Sequence, residues 1–375
     1  MRRTKSMLAL VAACFTPFLL ADVIIPSYRV TSLGTLGGTS SVAYSINNLG
    51  VAVGVATNAS GQEAAFSHNG LVMTALPSGS GAIMSSGARI NDRGEIAGTT
   101  FFNGSSQATI WNGEAQYLSN FAFGYGGATS INNKGQVAGN SQFADGHGEA
   151  FLWNGSQMQA LGLLPGGDWS SANSLNFSGQ VVGSATNASG NFRAFSWTAN
   201  TGLTQIGTLG GRNSYALDVN DAGTIIGSSQ VPYGWTHAFQ YIAGAMRDLG
   251  TLGGGNSYGY GLNSATDVVG YSDTAEGLNR AFLFRNGALV DLNGYLLNNP
   301  GWVLEQAYDI NEQGQIVGVG TFNGLRTAFR LDPFAPQLPM SISPGPPSIA
   351  TPEPSTLLAF LCAGAAAVVS RFKIS

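Results

Sequence analysis

From about residue 28 to residue 332, short apolar runs alternate with turn residues, and no stretch keeps a helical period over ten residues. In one span, the run from Ala128 to Ile131 precedes the turn Asn132-Asn133-Lys134-Gly135, and residues 136–138 continue. A loop then leads to Glu149-Ala150-Phe151-Leu152-Trp153, a turn at Asn154-Gly155, and residues 158–161. Runs of four to six residues closed by Asn-Gly-type turns predict β-hairpins. One signature recurs seven times: an apolar residue, Asn, and seven residues later a Gly. It reads Ile46-Asn47 to Gly54, Ile90-Asn91 to Gly98, Ile131-Asn132 to Gly139 and Leu175-Asn176 to Gly183. It continues as Val219-Asn220 to Gly227, Leu262-Asn263 to Gly270 and Ile310-Asn311 to Gly318. The Asn residues are 44, 41, 44, 44, 43 and 48 apart. Such a period marks stacked supersecondary units that cannot bury a core singly. Four strands per unit, seven times over, predict an all-β protein, a seven-bladed β-propeller of four-stranded blades.

The phase of the repeat predicts how the ring closes. The outermost run recurs at 72–76, 115–118, 158–161, 203–206, 245–249 and 288–292, and a seventh copy is missing after Ala328-Phe329-Arg330-Leu331. It stands instead at the other end, as Tyr28-Arg29-Val30-Thr31-Ser32-Leu33. The first strand is therefore expected to complete the last blade and leave no open sheet edge. A β-solenoid, the alternative repeat architecture, would not require a displaced strand.

The two ends read as addresses and are expected to be short helical segments. Arg2, Arg3 and Lys5 precede an apolar run from Met7 to Leu20, so residues 1–21 read as a secretory signal peptide. Residues 22–332 hold the repeats, and 333–351 form a Pro- and Ser-rich linker. Residues 352–375 carry Pro352-Glu353-Pro354-Ser355, an apolar stretch expected to be a short transmembrane helix though short of the about 20 residues a comfortable span needs, then Arg371 and Lys373. This order resembles the PEP-CTERM sorting signal of Gram-negative bacteria. The resemblance implies an exosortase-type processing partner and transient residence in the inner membrane. The cell surface or an extracellular matrix would follow.

Composition narrows the chemistry. Only 10% of residues are charged and 53 are Gly, which suits a turn-rich β protein. Both cysteines, Cys14 and Cys362, lie in the terminal segments, so the repeats depend on packing alone. Without the terminal segments 11 basic and 19 acidic residues remain, a net charge of −8 that argues against nucleic acid as a partner.

The third run of each unit carries a second resemblance. It reads His237-Ala238-Phe239, with counterparts Ala64-Ala65-Phe66, Glu149-Ala150-Phe151, Arg193-Ala194-Phe195, Arg280-Ala281-Phe282 and Thr327-Ala328-Phe329. The second unit departs, with Ala108-Thr109-Ile110-Trp111. Together with Gly207-Thr208-Leu209-Gly210-Gly211 and its matches at 34–38 and 250–254, this resembles the HAF family of bacterial extracellular repeats. That resemblance implies fold and location and no catalytic role.

Candidate sites follow from residue type and loop placement. Each repeated Asn is expected to bind backbone in its own turn; a ring of seven lining the channel and holding an ion is the alternative. The small residue four before it is expected to let neighbouring blades approach. The histidines His68, His147 and His237 show no ligand spacing, and no metal or cofactor is expected. Asp218 and Asp309 on inner strands are the candidate acids for a polysaccharide hydrolase or lyase acting in the channel. The favoured reading is non-enzymatic. The longer loops gather on one face and bring Tyr125, Trp169, Tyr215, Tyr233, Trp235, Tyr258 and Trp302. Aromatic rings on an Asn- and Ser-rich rim suit exopolysaccharide or a surface protein. A purely architectural matrix protein is the third reading.

Overall fold

The structure, a computed structural model, describes residues 25–119, 124–297 and 301–334. The alternating pattern becomes seven four-stranded antiparallel sheets, numbered here as blades 1 to 7 in chain order. Their inner strands are Gly37–Ile46, Met84–Ile90, Gly126–Ile131, Ser170–Leu175, Ser214–Val219, Gly253–Leu262 and Trp302–Ile310. Blade 1 continues outward through Ala52–Asn58, Glu63–His68 and Met73–Ala75, and blades 2 to 6 repeat that order. Blade 7 takes its outer strand, Ser27–Gly34, from the opposite end of the chain, paired antiparallel to Leu325–Phe334. The expected closure is therefore present. Among the described residues the one helical element is the 3-10 turn Leu292–Tyr295, and no helix is long and apolar enough to cross a membrane. The terminal segments expected to be helical, including Pro352, Glu353, Pro354, Ser355, Arg371 and Lys373, lie outside the described residues.

The repeated Asn does two jobs. In all seven blades its Oδ1 accepts the backbone N–H four residues on, which fixes the turn from the inner to the second strand. That part was expected from sequence. The side-chain amide also reaches sideways. Asn47, Asn91, Asn132, Asn176 and Asn220 each donate Nδ2–H to the backbone carbonyl of the Asn in the next blade, and Asn311 donates to Asn47. These six links are 3.0–3.1 Å long and run around the ring. Every one of the seven Asn is buried, so each unmade bond would leave a polar group without water.

The junction of blades 6 and 7 differs. Asn263 turns its Nδ2–H to Asp267, whose carboxylate is held by Arg285. Gly261 occupies the position two before Asn263, and a Cβ there would lie 2.7 Å from Cα of Asp309 and from the carbonyl of Tyr308. The backbones approach so closely that only Gly fits.

The Gly seven after each Asn has a steric cause. All seven inner strands carry a register shift that straddles the residue three before Asn. Such a bulge bends the strand. A Cβ on the facing Gly would then sit 1.8–2.1 Å from an inner-strand carbonyl. The space over this Gly is filled by its partner on the third strand. Gly54 faces Phe66, Gly139 faces Phe151, Gly183 faces Phe195, Gly227 faces Phe239, Gly270 faces Phe282 and Gly318 faces Phe329. All six Phe are fully buried. In blade 2, Thr109 faces Gly98 and Trp111 packs against that Gly instead, its indole N–H donating to the carbonyl of Pro77. The departure in the sequence signature is thus a substitution within one packing site.

Neighbouring blades are also joined higher up. The Ala of the third-strand signature donates its N–H to a Ser Oγ on the next inner strand: Ala65 to Ser85, Ala150 to Ser170, Ala194 to Ser214, Ala238 to Ser257 and Ala328 to Ser41. Ser41, Ser170, Ser214 and Ser257 pass their own protons to Gly34, Gly162, Gly207 and Gly250. Apolar packing fills the seams between blades, as where Val53 and Ala65 of blade 1 meet Ile90, Ile96 and Trp111 of blade 2.

Replacing Asn176 by Ala removes both the turn bond and the link to blade 5. It is expected to cost about 2–4 kcal/mol in denaturant unfolding. Asn263→Ala breaks no link to the next blade and is expected to cost about 1 kcal/mol less. Equal losses would show that the sideways bond contributes nothing.

Candidate functional site

The two candidate channel acids are held by charge and by hydrogen bonds within the ring. Asp218 and Asp309 stand two residues before their Asn, where the bulge turns the side chain inward, and both carboxylates are almost fully buried. Arg89 occupies the same position in blade 2 and reaches across to both. Its guanidinium lies 2.9 Å from Asp218 Oδ1 and 3.6 Å from Asp309 Oδ1. Asp218 accepts further bonds from Ser174 Oγ and from the backbone N–H of Val219 and Leu262. Asp309 accepts from Ser45 Oγ, Ile46 N–H and Ile310 N–H. General acid–base work needs a carboxylate within reach of a substrate atom. These two face a guanidinium and the neighbouring blades, so they plug and tie the ring. Burial raises the Asp309 carboxyl above the ordinary carboxylate range, opposed by Arg89 and reinforced by Asp218. Burial alone would lower the Arg89 guanidinium, but the two carboxylates outweigh it and hold it charged.

Tyrosines of blades 6, 7 and 1 pack on one another. Tyr258 stacks on Tyr271 with centroids 4.8 Å apart, Tyr260 stacks on Tyr308 at 5.1 Å, and Tyr44 meets Tyr308 edge-on at 5.2 Å. Burial raises the phenols of Tyr44, Tyr260, Tyr271 and Tyr308, that of Tyr308 to about 12.

The seven residues of the expected aromatic face separate into distinct places. Tyr125 and Trp169 come together in one groove of about 420 Å³ on the loop face, over the seams of blades 2, 3 and 4. Both stand seven residues before their Asn, and each backbone bridges to the preceding blade, Tyr125 to Ser106 and Trp169 to Gly148. Blades 5 and 6 place Asn213 and Asn256 at this position, where their side chains accept from Phe192 N–H and Thr236 N–H to join the blades. Blades 3 and 4 make that join through backbone, and the position carries a ring instead. Trp169 lies over Gly148, and the absence of a side chain at Gly127 opens the floor near Thr99 and Asn140. Tyr125 is 53% exposed, so its ring is available from solvent. Asn140 and Gln142 add hydrogen-bonding amides at the groove, and none of its lining side chains is charged.

The other candidates serve elsewhere. Trp169 meets Phe192 edge-on at 5.6 Å, and Phe192 leads to Tyr215 at 5.4 Å, so an aromatic row extends from the groove into blade 5. Trp235 lies against Gly255 with its other side exposed, and Tyr233 at the same loop tip is 91% exposed. Tyr258 belongs to the tyrosine cluster, stacked on Tyr271. Trp302 corrects the sequence expectation. It is 3% exposed, stacked on Phe322 at 4.8 Å and edge-on to Phe329, because its strand begins deeper in blade 7 than the loop pattern implied. Sequence reasoning missed Phe101, Asn140, Gln142 and Phe192; the first three line the groove and the fourth extends its aromatic row.

The histidines take separate partners: His68 accepts from Gly70 N–H, His147 sits between Asp145 and Glu149, and His237 meets Asp248. Among the described residues no group of three or more His, Cys, Asp or Glu side chains is placed to hold a metal ion.

No protein-family model matches the sequence, and no curated protein is significantly similar to it. The chain is similar in fold to a puromycin-hydrolyzing peptidase of Mycobacterium tuberculosis, with 12% identity and a TM-score of 0.53. That match covers 84% of this chain but only 56% of the peptidase. The β-propeller domain of the Trilobed protease from Pyrococcus furiosus matches at 11% identity and a TM-score of 0.47, over 67% of this chain and 79% of that one. TolB from Acinetobacter baumannii matches at 11% identity and 0.44, over 80% and 64%. At such identities the likeness is one of fold.

Replacing Arg89 by Met leaves two buried carboxylates without their counter-charge and is expected to cost about 3–5 kcal/mol at neutral pH. A carboxyl raised in the folded state binds more protons there than in the unfolded chain. Stability therefore falls as pH rises from the ordinary carboxylate range through the raised folded value. Loss of Arg89 raises Asp309 further and widens that window. The deficit should shrink as pH drops toward the carboxylate range; a pH-independent deficit in unfolding experiments would contradict the plug.

Proposed function

We propose that this protein is an exported, non-enzymatic β-propeller of the cell surface or extracellular matrix that binds polysaccharide through its loop face. The observation that carries the reading is the groove between Tyr125 and Trp169, with aromatic rings, side-chain amides and no charge. Sites of this kind hold a ligand by apolar contact and fix its orientation with a few polar groups. A sugar ring offers an apolar C–H face to an aromatic ring and hydroxyls to Asn140 and Gln142. The non-enzymatic part is supported by the channel acids, both engaged by Arg89 and backbone donors. The exported part is supported by the two terminal segments and by the resemblance to HAF repeats and PEP-CTERM proteins.

The test is retention of the purified protein on a panel of immobilised bacterial exopolysaccharides, with released sugar measured in parallel. Retention without release is expected. Trp169→Ala and Tyr125→Ala should each weaken retention about tenfold to a hundredfold while leaving the unfolding midpoint nearly unchanged. Trp302→Ala should do the reverse, losing about 3–5 kcal/mol of stability through a buried cavity. Sugar release would overturn the non-enzymatic reading. Retention lost through Trp235→Ala and not Trp169→Ala would move the ligand to the Tyr233 loop, a site better suited to a protein partner.

A further inference from the structure

A second hollow, of about 340 Å³, opens along the seam between blades 1 and 2. Tyr44, Met84 and Ser86 line it, and Arg326 of blade 7 and Glu63 stand at its rim. Phe101, on the second strand of blade 2, lines this hollow and the Tyr125–Trp169 groove alike. Each hollow alone is near the small end of the roughly 300–1,000 Å³ seen for compact small-molecule sites. Neither is enclosed. They lie on consecutive seams, with one aromatic ring contributed to both.

We propose that the two hollows form one continuous track for an extended, uncharged polysaccharide chain, running from Trp169 and Tyr125 across Phe101 to Tyr44. This rests on the polysaccharide reading above and adds the ligand's shape and charge. The shape follows from the spacing of rings. Blades 4, 3, 2 and 1 present Trp169, Tyr125, Phe101 and Tyr44 in that order, one platform per blade, which suits a polymer of repeating flat-faced units better than a single compact molecule. The charge follows from the lining. The larger groove has no ionisable side chain but Tyr125, and the smaller brings one acid and one base, Glu63 and Arg326, which cancel. An anionic polymer would gain nothing from the larger groove and would meet a protein of net negative charge.

The test uses the polysaccharide retained by the protein, cut into a ladder from disaccharide to octasaccharide, with affinities measured by calorimetry at low and high salt. Affinity should rise with length until both hollows are covered and then level off. Phe101→Leu and Tyr44→Leu, which keep apolar bulk and so spare the fold, should weaken the longest fragments at least tenfold. Tyr44→Leu should leave the shortest bound fragment unchanged, while Trp169→Ala weakens every fragment. Affinity independent of length, or long fragments indifferent to both Leu variants, would overturn the track while leaving the groove standing. A steep loss of affinity with salt would overturn the uncharged assignment, because screening weakens ionic contacts. Failure of every polysaccharide to bind would remove the polysaccharide reading itself, and the track with it.

Discussion

The belt of side-chain amides around the channel is the interaction on which the rest of the molecule depends. A propeller must solve two problems at each inner turn: reverse the chain, and hold one blade against the next. Asn answers both with one side chain, since its oxygen accepts from its own turn and its nitrogen donates to the neighbouring turn. Asp could not donate to the neighbouring carbonyl, and Ser could not span both directions. Other features follow from the close approach the belt enforces. The bulge bends each inner strand, the bulge demands Gly opposite, and the bare Gly admits a Phe from the third strand. The outer strand of blade 7, borrowed from the start of the chain, then completes the ring.

Much of this could be read from the sequence. The period, the four runs per unit and the displaced strand led to the observed architecture, because each rests on a local pattern with a fixed length. The turn role of Asn was legible for the same reason. Its sideways bond was not, because nothing in one repeat shows where the next repeat's carbonyl will be. The special junction at Gly261 was also hidden, although the longer spacing of 48 before Asn311 marks the same place.

The site was legible only in part. Tyr125 and Trp169 were found by residue type and loop position, and the structure brings them into one groove. Trp302 was found by the same reasoning and is buried, since loop position alone does not tell how deep a strand begins. Asp218 and Asp309 were identified as facing the channel, yet their partner Arg89 lies in another blade at the equivalent repeat position. Aligning the repeats by their Asn would have placed all three in one layer. The same alignment singles out Tyr125 and Trp169, where blades 5 and 6 keep a joining Asn. At that position the ring gives up a structural side chain, and a backbone contact takes over its work.

The six tryptophans supply a direct measurement of the central claim, that the ligand lies in the groove of blades 2 to 4. Their indole N–H resonances can be followed by NMR during titration with a bound polysaccharide fragment. Trp169 should shift strongly, while the buried Trp111, Trp197 and Trp302 should stay in place. A shift at Trp235 with none at Trp169 would contradict the account and relocate the ligand to the seam of blades 5 and 6.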